Sequence, residues 1–281
     1  MTPAPSALSV EQSYAWCEQI ARSRAKNFYY SFLLLSKPQR NAMCAIYAFM
    51  RYCDDLSDDE TLSDRASEIR TWRADLEKAL GGETSMHAVW PAFHDAVVRY
   101  KIPHEYFFDM IEGVSSDLAP QTMETFDDLY RYCYRVASVV GLTIIHIFGF
   151  DDPQALVLAE KCGIAFQLTN IIRDVKEDEG LGRRYLPAED LRRFRVVSIE
   201  GSAEFRSLME FEGQRARAYY RESAPLLGLI HKQSRRSLWA LIEIYSRLLK
   251  RIEASGYDVL SQRVRVPTWE KIWILVRALG K

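Results

Sequence analysis

Apolar residues recur at three- and four-residue spacing in segments near 10–35, 38–58, 62–80, 86–100, 103–117, 125–148, 153–178, 203–227 and 232–256, with a last one over about 267–279. That period is the mark of amphipathic helices that bury one face. Strict alternation, which would mark half-buried strands, is nearly absent outside 263–266. The spacing predicts an all-α protein with short connections. No Pro/Ser-rich linker or single-charge block divides the chain, and no fixed period repeats, so one domain over 1–281 is expected instead of a solenoid.

Composition agrees with this pattern. The 13 Gly and 10 Pro make up roughly 8% of the 281 residues, below the roughly 12% of average usage, so few tight turns punctuate the chain. At 48% hydrophobic and 27% charged the composition excludes disordered and fibrous classes. The 37 basic and 38 acidic side chains leave a net charge of −1, which gives no global field to attract a polyanion; nucleic acid is not an expected partner. Five cysteines in an odd count, with no C-x-x-C spacing, argue against a disulfide framework or a cysteine zinc site and fit a reducing, cytoplasmic setting. The first residues, MTPAPSALSVEQ, do not read as a secretory signal. The longest apolar stretch, 136–150, is shorter than the roughly 20 residues that span a bilayer.

Two acidic constellations carry the chemistry. In 46–60, IYAFMRYCDDLSDDE, helical spacing puts Tyr47, Arg51, Asp54 and Asp58 within roughly 60° of one another, with Asp55 beside them. In 163–187, GIAFQLTNIIRDVKEDEGLGRRYLP, the residues Asn170, Asp174 and Asp178 follow at successive i,i+4 steps, with Glu177 on the same side, on an arc of roughly 100°. Each alone reads as a solvated helix end or as a network with Arg173, Lys176, Arg183 and Arg184. Both in one helical chain read differently. Hard Mg²⁺ binds through one or two carboxylates plus substrate phosphates, so two acidic helices can hold a diphosphate through metal bridges, with Arg51, Arg173, Arg183 and Arg184 taking the remaining phosphate charge. Gly180-Leu181-Gly182 follows a helix instead of opening one, so neither a P-loop nor a dinucleotide fingerprint competes.

Aromatic residues cluster early (Phe28, Tyr29, Tyr30, Phe32), before a Val/Ile/Gly-rich helix (Tyr130, Tyr132, Tyr134) and late (Tyr245). Singly each is core; as a group they suit an apolar pocket whose ring faces stabilise an allylic cation and exclude water. The five His form no close ligand pair, and G-x-S-x-G is missing, so zinc hydrolase and serine hydrolase chemistry lack support.

The blocks KNFYYSF (26–32), AIYAFMRYCDDLSDDE (45–60), YCYRVASVVG (132–141) and FQLTNIIRDVKEDEGLGRRYLP (166–187) resemble, in order, those of the squalene/phytoene synthase family, over about residues 14–265. Within it the chain looks most like bacterial presqualene diphosphate synthases of the hopanoid pathway. The resemblance implies an isoprenoid-synthase helical bundle around an apolar cavity, Mg²⁺ (or Mn²⁺) dependence, and head-to-head coupling of two farnesyl diphosphates to presqualene diphosphate. Onward reduction to squalene would need NADPH; with a carotenoid-type outcome the product would be phytoene or dehydrosqualene. It makes Asp54, Asp55, Asp58, Asn170, Asp174 and Asp178 the expected metal ligands. Tyr47, Arg51, Tyr132 and Arg173 become the expected catalytic groups, and Phe28, Tyr30, Gln167, Arg183, Tyr245 and Arg263 the expected substrate contacts. Ser138 stands where many relatives have glycine. A non-enzyme alternative is a membrane-surface helical scaffold, supported by the aromatic and basic end VRVPTWEKIWILVRALGK. Loose association at the inner face of a membrane is compatible with the enzyme too.

Overall fold

A computed structural model of the chain describes residues 8–25, 28–58, 61–62, 64–119 and 122–280; the side chains of Phe28 and Asp58 lie outside that description. The chain forms α1 (Val10–Arg24), α2 (Phe28–Phe32), α3 (Lys37–Asp58), α4 (Arg65–Leu80), α5 (Trp90–Tyr100), α6 (Glu105–Ser116) and α7 (Phe126–Cys133). A π-helical stretch, Tyr134–Ser138, then leads into α8 (Val139–Phe148). After it come α9 (Gln154–Gly180), α10 (Ala188–Arg193), α11 (Ala203–Ser223), α12 (Leu226–Leu229), α13 (Lys232–Ala254) and α14 (Thr268–Ala278). The described residues contain no strand, only two isolated bridges, Thr122 with Arg184 and Phe150 with Ile230. Residues 263–266, the one alternating stretch, are loop.

Local chemistry sets several ends. Ser9 and Gln12 form a reciprocal capping box that starts α1, and Thr125 with Asp128 does the same for α7. Gly149, at φ 83°, ends α8 in a conformation open mainly to glycine, and its close approach to the His231 ring leaves no room for a side chain. The expected helix over 10–35 is divided: α1 stops at Arg24, and the short α2 lies beyond the break. The expected helix over 125–148 is interrupted by the π turn, and α10 adds a turn of helix where periodicity showed none.

Two large buried clusters form most of the core, with a small third one between α13 and α14. One gathers α1, α3, α5, α6 and α8 around Phe49, Trp72, Trp90, Phe93 and Phe107; the other gathers α7, α9, α11 and α13 around Leu129, Ile172, Leu208 and Leu248. Helix α9 is the central member, packed against α8, α11 and the π turn. It is long and apolar enough by composition to cross a membrane, yet 67% of its apolar window is buried inside the bundle, as a core helix requires. All five cysteines are buried, and none is in a disulfide.

Candidate active site

The two acidic helices line one cavity of about 350 Å³. Helix α3 supplies Tyr47, Arg51 and Asp54, and α9 supplies Gln167 and Asn170; Asp117, just past α6, Tyr132 of α7 and Tyr245 of α13 complete the polar lining. The remaining wall is apolar, with Phe32, Met43, Ile46, Ile144, Leu238 and Leu241 among its members. The volume lies within the roughly 300–1,000 Å³ usual for a ligand site with a few convergent polar groups.

Arginines hold most of the acids. Arg51 pairs with Asp55 one turn on. Arg173 donates from Nε to Asp174 Oδ1 at 2.8 Å, and Arg263 reaches the same carboxylate at 3.0 Å and Glu177 at 2.9 Å. The Arg173–Asp174 pair is 14% and 16% exposed, so each ion depends on the other for compensation. Asp178 lines a small recess with Arg183 and Tyr185; burial, followed by the charge of Asp174, pushes its carboxyl up to about 7, while Arg183 pulls the other way.

Phenols are held protonated around the cavity. Tyr132 donates to Asp117 Oδ2 at 3.1 Å and Tyr185 donates to Asp117 Oδ1 at 2.9 Å, with the two rings stacked 4.7 Å apart. Burial, then the Asp117 charge, raises the Tyr132 phenol far above its usual range. Tyr47 is pushed up to about 12 by burial, against the pull of Arg51. Tyr245 is also raised by burial, and its ring stacks on Phe166 at 4.3 Å and 9°. At neutral pH these phenols stay protonated and present neutral ring faces, which is what an adjacent carbocation needs.

Among the described residues no group of three or more His, Cys, Asp or Glu is tight enough to hold a metal by protein ligands alone. The donor set still fits Mg²⁺. Every candidate ligand is a hard oxygen, and Asn170 Oδ1 is buried without a hydrogen-bond partner. An ion bound by one or two carboxylates plus substrate phosphate needs no closed protein cage.

Of the residues expected from sequence, Tyr47, Arg51, Asp54, Tyr132, Gln167, Asn170 and Tyr245 share the cavity. Asp55, Arg173, Asp174 and Arg263 do not line it and are joined to one another or to neighbours by ion pairs; Asp178 and Arg183 share the recess. Tyr30 lies under Lys271 at 5.8 Å and away from the cavity, which Phe32 of the same helix lines instead. Tyr29 is bonded to Arg22, and Tyr130 to Glu160, both away from the lining. The side chains of Phe28 and Asp58 lie outside the described residues. Asp117 and Tyr185 were not singled out from sequence: Asp117 stands alone after α6, with no acidic neighbour at helical spacing to mark it. Ser138 donates to the Glu160 carbonyl at 2.9 Å, and Gly163 of α9 supplies the close backbone approach at this point.

The chain is similar to known proteins along nearly its whole length. The squalene/phytoene synthase family matches residues 21–270. The 15-cis-phytoene synthase of Synechococcus elongatus is 35% identical, the alignment covering 99% of this chain and 96% of that enzyme. The phytoene synthase of Arthrospira platensis is 36% identical over 94% of this chain and 91% of its own. Among solved structures, a ligand-bound dehydrosqualene synthase superposes with a TM-score of 0.88 at 31% identity, covering 96% of each chain. The squalene synthase HpnC of Alicyclobacillus acidocaldarius gives 0.82 at 27% identity, over 89% of this chain and 96% of that one. With its acidic helices facing one apolar cavity, this all-α chain belongs to the squalene/phytoene synthase family of head-to-head prenyltransferases.

Proposed function

We propose that this chain couples two identical prenyl diphosphates head-to-head and carries the product on to a carotenoid-type hydrocarbon, phytoene or dehydrosqualene. One observation carries the reading: a single apolar cavity is lined at once by Asp54 of the first acidic helix and Asn170 of the second. Names of relatives support the carotenoid outcome. The phytoene synthases are 35% and 36% identical, and the dehydrosqualene synthase structure is the better superposed of the two described. Presqualene diphosphate as released product, expected from sequence wording, has less support.

Asp54, Asn170, Asp174 and Asp178 would hold Mg²⁺, which when bound neutralises diphosphate charge as the leaving group departs. Arg51 and Arg173 offer guanidinium groups to the same phosphate oxygens. The Tyr132 O–H is taken by Asp117, so this residue offers its ring, with those of Tyr47 and Tyr245, to the allylic cation. The apolar wall excludes the water that would quench it. The double bond of the second substrate attacks C1 of that cation, and loss of a proton closes a cyclopropane. Departure of the second diphosphate, rearrangement and loss of another proton then give the central double bond. This outcome needs no hydride donor; reduction to squalene would.

Purified protein with Mg²⁺ and either farnesyl or geranylgeranyl diphosphate, without reductant, should form dehydrosqualene or phytoene by mass spectrometry. Accumulation of the cyclopropyl diphosphate, or hydrocarbon formed only with NADPH, would overturn the carotenoid reading and leave head-to-head coupling in place. No coupled product from either substrate would overturn both.

A further inference from the structure

Helix α14 is turned inside out. Its buried arc contains Glu270 and Lys271 together with Ile274 and Ala278, whereas Trp269, Ile272, Trp273, Val276 and Leu279 are exposed, from 45% for Trp273 to 67% for Trp269. At helical spacing the exposed apolar residues cover an arc of roughly 120° directly opposite the buried one. The inversion is fixed by specific partners. Glu270 accepts from Arg247 at 2.6 Å and Arg251 at 3.0 Å, while Arg277 stacks over the Trp273 ring at 4.6 Å and the Trp239 ring at 5.7 Å. The start of α14 therefore meets the end of α13 and its end meets the start, an antiparallel pair, and the apolar face cannot rotate inward without breaking these ion pairs.

The charge of this end of the chain is unlike the rest. Residues 232–280 hold ten Lys or Arg and four Asp or Glu, while the whole chain carries one more acid than base. We propose that the exposed face of α14 docks on an anionic lipid surface, with the two tryptophans at headgroup depth and the exposed Arg277 beside them on the phosphates. Tryptophan beside basic residues on a helix lying in the plane of the surface is the usual chemistry of such contacts. A second copy of the chain fits worse: a two-fold contact would bring Arg277 and the basic excess of this end against themselves. The placement stands independently of the reaction proposed above. One face of α13 lines the cavity through Leu238, Leu241 and Tyr245, so the docking helix lies one helix away from the site.

The test is co-sedimentation of the full chain with vesicles of equal parts phosphatidylglycerol and phosphatidylcholine, and with phosphatidylcholine alone. The protein should partition onto the anionic vesicles, less so in high salt. The double variant Trp269→Ser/Val276→Ser should bind about tenfold more weakly with an unchanged melting curve, because these two side chains are 67% and 62% exposed. Equal binding by variant and wild type, or no binding by wild type, overturns the proposal. So does a wild-type dimer on gel filtration that the double variant converts to monomer, since the face would then be covered by a second copy.

Discussion

Gly163 offers the sharpest check on how α9 is seated. A Cβ placed there would lie 2.5 Å from Ser138 Cα, 2.8 Å from Ser138 N and 2.9 Å from the Ala137 carbonyl oxygen, all backbone atoms of the π turn that cannot step aside as a side chain does. Reaching the roughly 3.5 Å of an ordinary carbon contact requires α9 and the turn to part by about 1 Å. Overpacking of this kind costs about 1–3 kcal/mol, partly offset by the roughly 1 kcal/mol that alanine gains over glycine within a helix. Gly180→Ala on the same helix is the control, since nothing lies within 4 Å of its Cβ. For a chain of this size each kcal/mol moves the melting temperature by roughly 2 °C, so Gly163→Ala should melt about 2–6 °C below Gly180→Ala. Gly163 also lines the cavity seven residues before Asn170. A displacement of about 1 Å there should lower kcat by roughly 10- to 100-fold. Thermal melts and steady-state turnover on the two variants measure both. If Gly163→Ala melts with or above the control and turns over like wild type, the tight seating of α9 on the π turn is wrong.

Replacing Asp54 by Asn should abolish turnover, and Asp174→Asn should lower both turnover and melting temperature, because Arg173 is only 14% exposed and loses its charged partner; retained turnover in both variants would sink the metal-and-diphosphate site. Asp117→Asn should reduce kcat about 10- to 100-fold with little change in KM, since Tyr132 and Tyr185 share that carboxylate; an unchanged kcat would remove Asp117 from the site. Glu212, buried beside Arg215 and Asp190, is pushed up by burial to about 7 from its ordinary 4.5. Between those values the folded protein keeps a proton that the unfolded chain has released, so this group makes stability fall as pH rises. The melting temperature of Glu212→Gln relative to wild type should therefore climb as pH rises across that window, and a constant offset would refute the assignment.

The acidic ladders were legible because helical periodicity alone places residues i and i+4 on one face, and the structure keeps Asp54 and Asn170 on one cavity for that reason. Asp117 was not legible. Its meaning comes from Tyr132 and Tyr185, 15 and 68 residues away, and no local pattern encodes such a contact. The π turn was equally hidden, because Tyr134–Ser138 reads as ordinary helix and the interruption arises where it packs on α9 and α6. Ser138 looked like the loss of a needed glycine, yet the close approach depends on the pair of facing positions, and Gly163 provides it from the other helix. For α14 periodicity defined two faces but could not say which turns inward; the ion pairs of Glu270 with Arg247 and Arg251 decide that.

Charge compensation links the site to its substrate. Arg51 is committed to Asp55, Arg173 to Asp174, and Arg263 to Asp174 and Glu177. A diphosphate entering the cavity needs those same guanidinium groups, and arginine forks match phosphate as well as carboxylate. An arginine turned from carboxylate to phosphate leaves an acid partly buried and uncompensated, which is costly unless a cation arrives with the substrate. Diphosphate and divalent cation should therefore bind with mutual reinforcement, each relieving the charge that the other exposes. On the proposed reading, the ion pairs that made the acidic motifs look like a structural network would be the groups that exchange partners when substrate enters. Position 174 carries the most of this exchange, because two arginines meet on its carboxylate.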